Sequence, residues 1–188
     1  MKKGLTNWYK IVGLVAFVVL AGGAGYWLFR TPEPISEFQY ERDAADVLKM
    51  FERDHYWLLA SEESDPDFML RYHAPNKWDS QYFGKFKIKV LRKEGALIGF
   101  TAYYMKSPLL GFIQFVAVNP PFRGKGYAQQ LLDYDLKQLK AMGAIRVELL
   151  TRTNNERAQK LYKRNSFQVK VVEDGYIYFF KNLIERHH

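Results

Sequence analysis

The stretch from Phe112 to Met142 constrains this chain more than any other. Phe112–Val118 is apolar on both sides of an extended strand except at Gln114, so it belongs inside a sheet whose two faces are both covered. Asn119-Pro120-Pro121 ends the strand, because proline has no N–H to give to a ladder. A basic, glycine-containing loop follows. Gly126–Met142 then places Ala128, Leu131, Leu132, Leu136, Leu139 and Met142 on one helical face, a strong helix signal. Gly143 is a natural stop. A buried strand that feeds such a helix requires a layered fold of sheet and helices.

The flanking segments extend that sheet. Ile35–Tyr40 suits a short first strand, and Ala44–Leu59 carries a helical stripe at Val47, Leu48, Phe51, Leu58 and Leu59. Ser61–Asn76 is polar, with Pro66 and Pro75, and reads as loop or broken helix. Lys85–Leu91 alternates Phe86, Ile88 and Val90 with lysines. Lys85, Lys87 and Lys89 are expected to form a solvated face rather than one turned to anionic lipid. Lys93-Glu94-Gly95 turns into a strand at Ala96–Met105. Ile145–Thr151 is a strand, Asn155–Arg164 a short helix, and Phe167–Val172 and Tyr176–Phe180 a hairpin. Hairpins plus one strand–helix–strand–helix unit predict an α/β fold of the α+β type. Its mixed, mostly antiparallel sheet is flanked by helices over residues 35–183, with a frayed tail at 184–188.

The N-terminal segment is of another kind. Ile11 to Phe29 is nineteen residues without a charge, and a helix of that length spans roughly 28 Å, about a bilayer core. Residues 1–10 form a basic flank with Lys2, Lys3 and Lys10; Arg30 closes the run, and residues 30–34 make a linker with Pro32 and Pro34. Trp8, Tyr9, Tyr26 and Trp27 stand at the two ends, as interfacial aromatics do. A retained single-pass transmembrane helix is favoured over a cleaved signal peptide ending near Ala21-Gly22-Gly23-Ala24, and over a buried core helix. Ala21 and Gly25 form a small-xxx-small pair, one route to a homodimer. The flanking cations lean slightly towards a cytoplasmic N-terminus.

The net charge of +8 divides evenly. Residues 1–30 hold four Lys and Arg and no acid; the remainder holds twenty-four against twenty. This mild surplus suits an anionic ligand, and its even spread argues against nucleic acid. The absence of cysteine excludes a disulfide scaffold, a thiolate metal site and a cysteine nucleophile. His55 and His73 are isolated, so no metal site is expected.

The loop Arg123-Gly124-Lys125-Gly126 carries the chemistry. The first amides of the helix lack intrahelical partners, the dipole is positive there, and glycine lets a ligand approach the backbone. Arg123 and Lys125 add charge, so the loop reads as a diphosphate site; a ligand-free basic turn is the alternative. There is no GxxxxGK[ST] sequence, and Gln129 stands where a dinucleotide fingerprint needs its third glycine.

Arg123-Gly124-Lys125-Gly126-Tyr127-Ala128 resembles the Q/R-x-x-G-x-G/A motif of the GNAT superfamily of N-acetyltransferases. Val116–Pro120 looks like the family's fourth strand. Asn155-x-x-Ala158-x-x-Leu161-Tyr162-x-x-x-x-Phe167 is similar to its N-x-x-A-x-x-L-Y-x-x-x-G-F block. The resemblance implies acetyl-CoA as co-substrate and an acceptor on a protein, peptide or small molecule whose neutral amine attacks the thioester carbonyl directly, with no covalent enzyme intermediate. By position, Val116, Ala117 and Val118 would offer backbone to the pantetheine arm, as an added strand would. The amides of Gly124, Lys125, Gly126, Tyr127, Ala128 and Gln129 would hold the pyrophosphate, with Arg123 leading into the loop. Asn155 would bind the cofactor arm or orient the site. Tyr162 would protonate the departing thiolate, since a phenol stays protonated at neutral pH.

The sequence also departs from the family pattern. Places where members carry a general base hold Phe112, Gln114 and Leu150. Glu148 shares the face of Leu150 and is a secondary candidate, its alternative being an ion-paired strand residue. Ser166 stands where the family has glycine, and Asn165 is expected to take the left-handed conformation instead. The acidic run 61–67, with Tyr72, Trp78, Tyr82 and Phe83 near it, could build an acceptor site. Acetyl-CoA is a cytosolic metabolite, which places the domain on the cytoplasmic side despite the charge lean. The rival reading is a non-catalytic, anchored acyl-CoA-binding or protein-interaction module on the same fold.

Overall fold

The computed structural model describes residues 35–59, 64–74 and 85–184. The expected anchor at 11–29, part of the acidic run, Trp78, Tyr82, Phe83 and the end of the tail lie outside the described residues. Among the described residues no helix is long and apolar enough to cross a membrane.

The elements run β1 (Ile35–Glu37), α1 (Tyr40–Leu58), α2 (Pro66–Tyr72), β2 (Lys87–Lys93), β3 (Ala96–Ser107), β4 (Leu110–Val118), α3 (Tyr127–Ala141), β5 (Arg146–Arg152), α4 (Glu156–Arg164), β6 (Gln168–Glu173) and β7 (Tyr176–Asn182). The strands form one sheet in the order β1-β2-β3-β4-β5-β7-β6. Among the described strands only β4 and β5 are parallel, because the long helix α3 carries the chain back between them. One face packs Val47, Met50, Phe51, Met69 and Leu70 of α1 and α2 against Phe100, Phe112 and Phe115. The other packs α3 and α4 through Leu132, Leu139, Leu161 and Tyr162.

Helix α1 begins a turn earlier than its apolar stripe suggests. Asp43 Oδ2 accepts from Gln39 N at 2.8 Å, closing the exposed amide end. The broken-helix reading of 61–76 resolves into α2, with Pro66 in its first turn and Asp65 accepting from Phe68 N at 3.0 Å. The lysine face of β2 needs correcting. Lys85 and Lys87 are exposed, but Lys89 is buried and ion-paired with Glu37 of β1, a charge that burial tolerates only when paired.

The feature that positions the site is a split in the sheet. Strand β4 pairs with β5 only over Leu110–Phe112, ending at Phe112 opposite Glu148. On the other side Ala102 faces Phe115 while Tyr103 faces Ile113, so Gln114 is the extra residue of a bulge. A bulge bends its strand, and beyond it β4 continues to Val118 beside β3 alone, while β5 continues to Arg152 beside β7. The strand expected to be central throughout therefore has one edge that no described strand pairs.

Candidate functional site

The register fixes what that edge offers. Asn119 N donates to Ile98 O at 2.8 Å. Alternation then turns the backbone groups of Val118 and Val116 away from β3 towards the open side, and those of Ala117 towards β3. Arg123 Nε donates to Val118 O at 2.8 Å, which folds the loop back onto the strand end.

After the 3-10 turn Pro120–Phe122, Gly124 and Gly126 adopt φ of +76° and +86°, a left-handed backbone that glycine holds without strain. A Cβ at either position would meet no atom within 4 Å, so the space above the loop is open. Gly126 caps α3 without a side chain, and no acid occupies the first turn. The first intrahelical bond runs from Gln130 N to Gly126 O. The amides from Gly124 to Gln129 thus precede the helical ladder, at the positive end of an unneutralised dipole.

Arg123 braces this loop. Its Nη2 lies 2.7 Å from Asp54 Oδ2, at the kink of α1. Arg53 also holds Asp54, at 2.5 Å, and reaches Asn119 Oδ1 at 2.8 Å. Burial pushes the Asp54 carboxyl up, but the hydrogen bonds and charges of Arg53 and Arg123 outweigh it and hold the group below the usual carboxylate range. Lys125 stays exposed, 5.8 Å from the Phe122 ring.

Asn155 caps α4, its Oδ1 accepting from Ala158 N at 3.2 Å. Tyr162 lies in the last turn of α4 and is locked from both sides. Phe167 N donates to Tyr162 O at 3.1 Å, and the two rings pack 5.8 Å apart, the backbone bond and apolar contact of a Schellman ending. The left-handed residue of that ending is Ser166, with φ of +62°; Asn165 stays at −95°, contrary to the expectation. The side chain of Asn165 instead pairs with Gln129 of α3: Gln129 Nε2 donates to Asn165 Oδ1 at 2.6 Å and Asn165 Nδ2 donates to Gln129 Oε1 at 2.9 Å. The Tyr162 ring also packs on Phe179, and its hydroxyl has no hydrogen-bond partner among the described residues. Burial raises the phenol well above its ordinary value, so it stays protonated.

Glu148 lies on the opposite face, at the point where β4 and β5 part. It is buried against Lys170 at 2.9 Å and Arg146 at 3.1 Å. The structure therefore puts Val116, Ala128 and Tyr162 in one packed cluster on the α3–α4 face, while Glu148 shares the opposite face with Leu150; Asn155 is placed only as the cap of α4. Three contributors were missed in the sequence. Asp54 falls on the apolar stripe of α1, and Asp135 falls four residues from both Leu131 and Leu139 on α3; an acid at such a position is the signal that was available. Arg152 bonds Tyr56 O at 2.6 Å and Leu59 O at 3.2 Å, tying β5 to the end of α1, and nothing in the local sequence marks it.

A strand edge that no described strand pairs leads here into a helix start with no side-chain cap, an arrangement that can offer backbone groups to an extended chain and amides to an anion. The sequence model of the Acetyltransferase (GNAT) family matches residues 26–167. The chain belongs to the GNAT family. Mycothiol acetyltransferase of Propionibacterium freudenreichii is 29% identical over 109 residues, covering 55% of this chain and 34% of that protein. The chain spans 28% to 55% of the length of the curated relatives it matches. Ard1 from Thermoplasma volcanium has the same fold, with a TM-score of 0.63 at 20% identity over 82% of this chain and 100% of that one. So has yncA from Salmonella typhimurium, solved with its cofactor acetyl-CoA: TM-score 0.61, 16% identity, 84% and 98% covered. GNAT acetyltransferases use acetyl-CoA, and the free β4 edge and the open space over Gly124 and Gly126 fit its pantetheine arm and pyrophosphate.

Proposed function

We propose that this GNAT protein is a membrane-tethered N-acetyltransferase, anchored once through residues 11–29 with its enzymatic domain on the cytoplasmic side. Acetyl-CoA supplies an acetyl thioester when bound. The observation that carries the reading is the split of β4 from β5, with the glycine loop at its end. Val116 and Val118 hold the arm by their backbone groups; the amides from Gly124 to Gln129 hold the diphosphate, with Lys125 adding charge. Arg123 and Asp54 keep the loop in that shape, and Asn155 fixes the start of α4.

Tyr162 acts as general acid and donates its hydroxyl proton to the departing thiolate sulfur, a role supported by a hydroxyl with no hydrogen-bond partner among the described residues. Glu148 is the candidate to take the proton of the acceptor amine, from the α1 side of the split. It lies buried against Lys170 at 2.9 Å and Arg146 at 3.1 Å. The acceptor is an amine carried by a protein, a peptide or a small molecule.

Mass spectrometry of a broad amine panel incubated with acetyl-CoA and the purified chain tests the reading. Acetylation that falls in Tyr162→Phe while acetyl-CoA still binds supports it. Binding with no acetylation of any amine favours the non-catalytic module. Mapping with a C-terminal reporter tests the topology, and a reporter outside the cytoplasm overturns that part.

A further inference from the structure

Behind β4, on the α3 side, lies a carboxyl group that acetyl transfer does not use. Asp135 is fully shielded from solvent. Its Oδ2 is hydrogen-bonded to the Thr101 hydroxyl, and its Oδ1 has no partner among the described residues. Thr101 Oγ1 also lies 2.6 Å from Phe115 O. Phe115 directly follows Gln114, the bulge residue that turns β4 away from β5.

Proton accounting decides between two arrangements. A threonine hydroxyl has one proton, and here it has an acceptor on either side. If Thr101 gives the proton to Asp135, a buried carboxylate keeps one bare oxygen and the Phe115 carbonyl loses its hydroxyl partner. If Thr101 gives it to Phe115 O, then Asp135 must donate to Oγ1, which only a carboxylic acid can do. The second arrangement leaves no bare charge, and a bare buried charge is by far the costlier defect.

The surroundings agree. Lys89 of β2, Tyr103 of β3 and Tyr162 of α4 lie within electrostatic reach of Asp135, and Tyr134, the preceding residue of its helix, lies 5.9 Å from Lys89 Nζ. The only cation among them, Lys89, is already paired with Glu37 of β1. Burial raises the Asp135 carboxyl far above the ordinary range; the Thr101 bond and Lys89 lower it by less.

We infer that Asp135 is a protonated carboxylic acid that, through the Thr101 hydroxyl, holds the Phe115 carbonyl and so fixes the bulged edge of β4 against which acetyl-CoA is bound. Asp135 and Thr101 are positioning residues; the last clause rests on the site reading above, and the protonation does not.

The test has two arms on the full chain. In the first, the melting temperatures of wild type and Asp135→Asn are compared from pH 4 to 8. A carboxyl whose folded pKa is raised penalises the wild type increasingly as pH climbs above the unfolded value of about 4. The variant should therefore gain on wild type as pH rises, and a carboxylic-acid C=O infrared band should vanish in it. A variant that loses ground as pH rises would show Asp135 ionised and overturn the assignment. In the second arm, calorimetry measures acetyl-CoA binding. Thr101→Val should bind about tenfold more weakly, a loss of one hydrogen bond's order, while Thr101→Ser and Asp135→Asn bind as wild type does. Unchanged affinity in Thr101→Val overturns the positioning role. A wild type that binds no acetyl-CoA overturns the site reading and that role together, while the first arm still decides the proton.

Discussion

Helices α1 and α3 cover opposite faces of one sheet, and both bury aspartate, with opposite results. Asp43 on α1 is as buried as Asp135 on α3. Around Asp43, however, stand Arg42 at 2.8 Å, Arg92 at 3.0 Å and the Gln39 amide at 2.8 Å. Burial pushes the Asp43 carboxyl up, and these partners more than offset it, leaving the group below its ordinary value. Asp54, four residues before the end of α1, is held down in the same way by Arg53 and Arg123. Asp135 has a hydroxyl and no free cation, and is pushed up. Depth alone does not set the charge; the partner does. The α1 face is an ionic scaffold that braces the loop, and the α3–α4 face holds the neutral, proton-bearing groups, Asp135 and Tyr162.

That division can be broken by experiment. Tyr162→Phe should lower kcat by about 10²-fold, the usual size of a lost general acid, with acetyl-CoA affinity and melting temperature unchanged; a variant that turns over at the wild-type rate removes the chemistry from the α4 side. Asp43→Ala should act on stability instead, at about 2–3 kcal/mol in denaturant unfolding, because it strips two arginines and an amide of a buried partner. A Thr101-like effect on acetyl-CoA binding with normal stability would contradict the scaffold role. Asn155→Ala should cost about 1 kcal/mol, a lost helix cap, and leave the pH profile of turnover in place.

The sharpest contrast is in pH. Asp43, lowered in the fold, contributes stability in full above the unfolded carboxyl value of about 4 and loses it as pH falls below. Asp43→Asn should therefore be less stable than wild type near neutrality, with the gap closing below about pH 4. Asp135→Asn should diverge from wild type over the same rise in pH with the opposite sign. Thermal melts of both variants in one buffer series decide this, and gaps of the same sign would erase the comparison.

How much was legible in the sequence follows the same division. The α3–α4 side is local: an apolar strand, a glycine loop and an amphipathic helix follow one another in 31 residues from Phe112 to Met142, so these elements were legible from the pattern, whereas the ligand and the roles of Asn155 and Tyr162 came from the family resemblance. The split itself was not legible. Gln114 was noted as the one polar residue of an apolar strand, but that it is a bulge depends on the register with Tyr103 and Ala102, which are distant in sequence. The α1 side hid for a similar reason. Arg42, Arg92 and Asp43 come together across 49 residues, and Arg123 meets Asp54 across 69. Charged residues so far apart read as solvated surface until the fold brings them together. Lys89 misled in that way: its alternation promised solvent, and Glu37 made burial tolerable. At Ser166 the fold keeps the left-handed position where the family has glycine, since the Schellman ending fixes it relative to Tyr162 and Phe167, whatever residue stands there.

Titration calorimetry of acetyl-CoA into wild type and Gly126→Ala tests the account most directly. Saturable binding that weakens about tenfold in the variant is expected, since a Cβ at a left-handed φ carries a penalty of about 1–2 kcal/mol and occupies the open space over the loop. No binding by wild type, or equal affinity in the two proteins, would show that the free edge of β4 and the start of α3 do not hold the coenzyme.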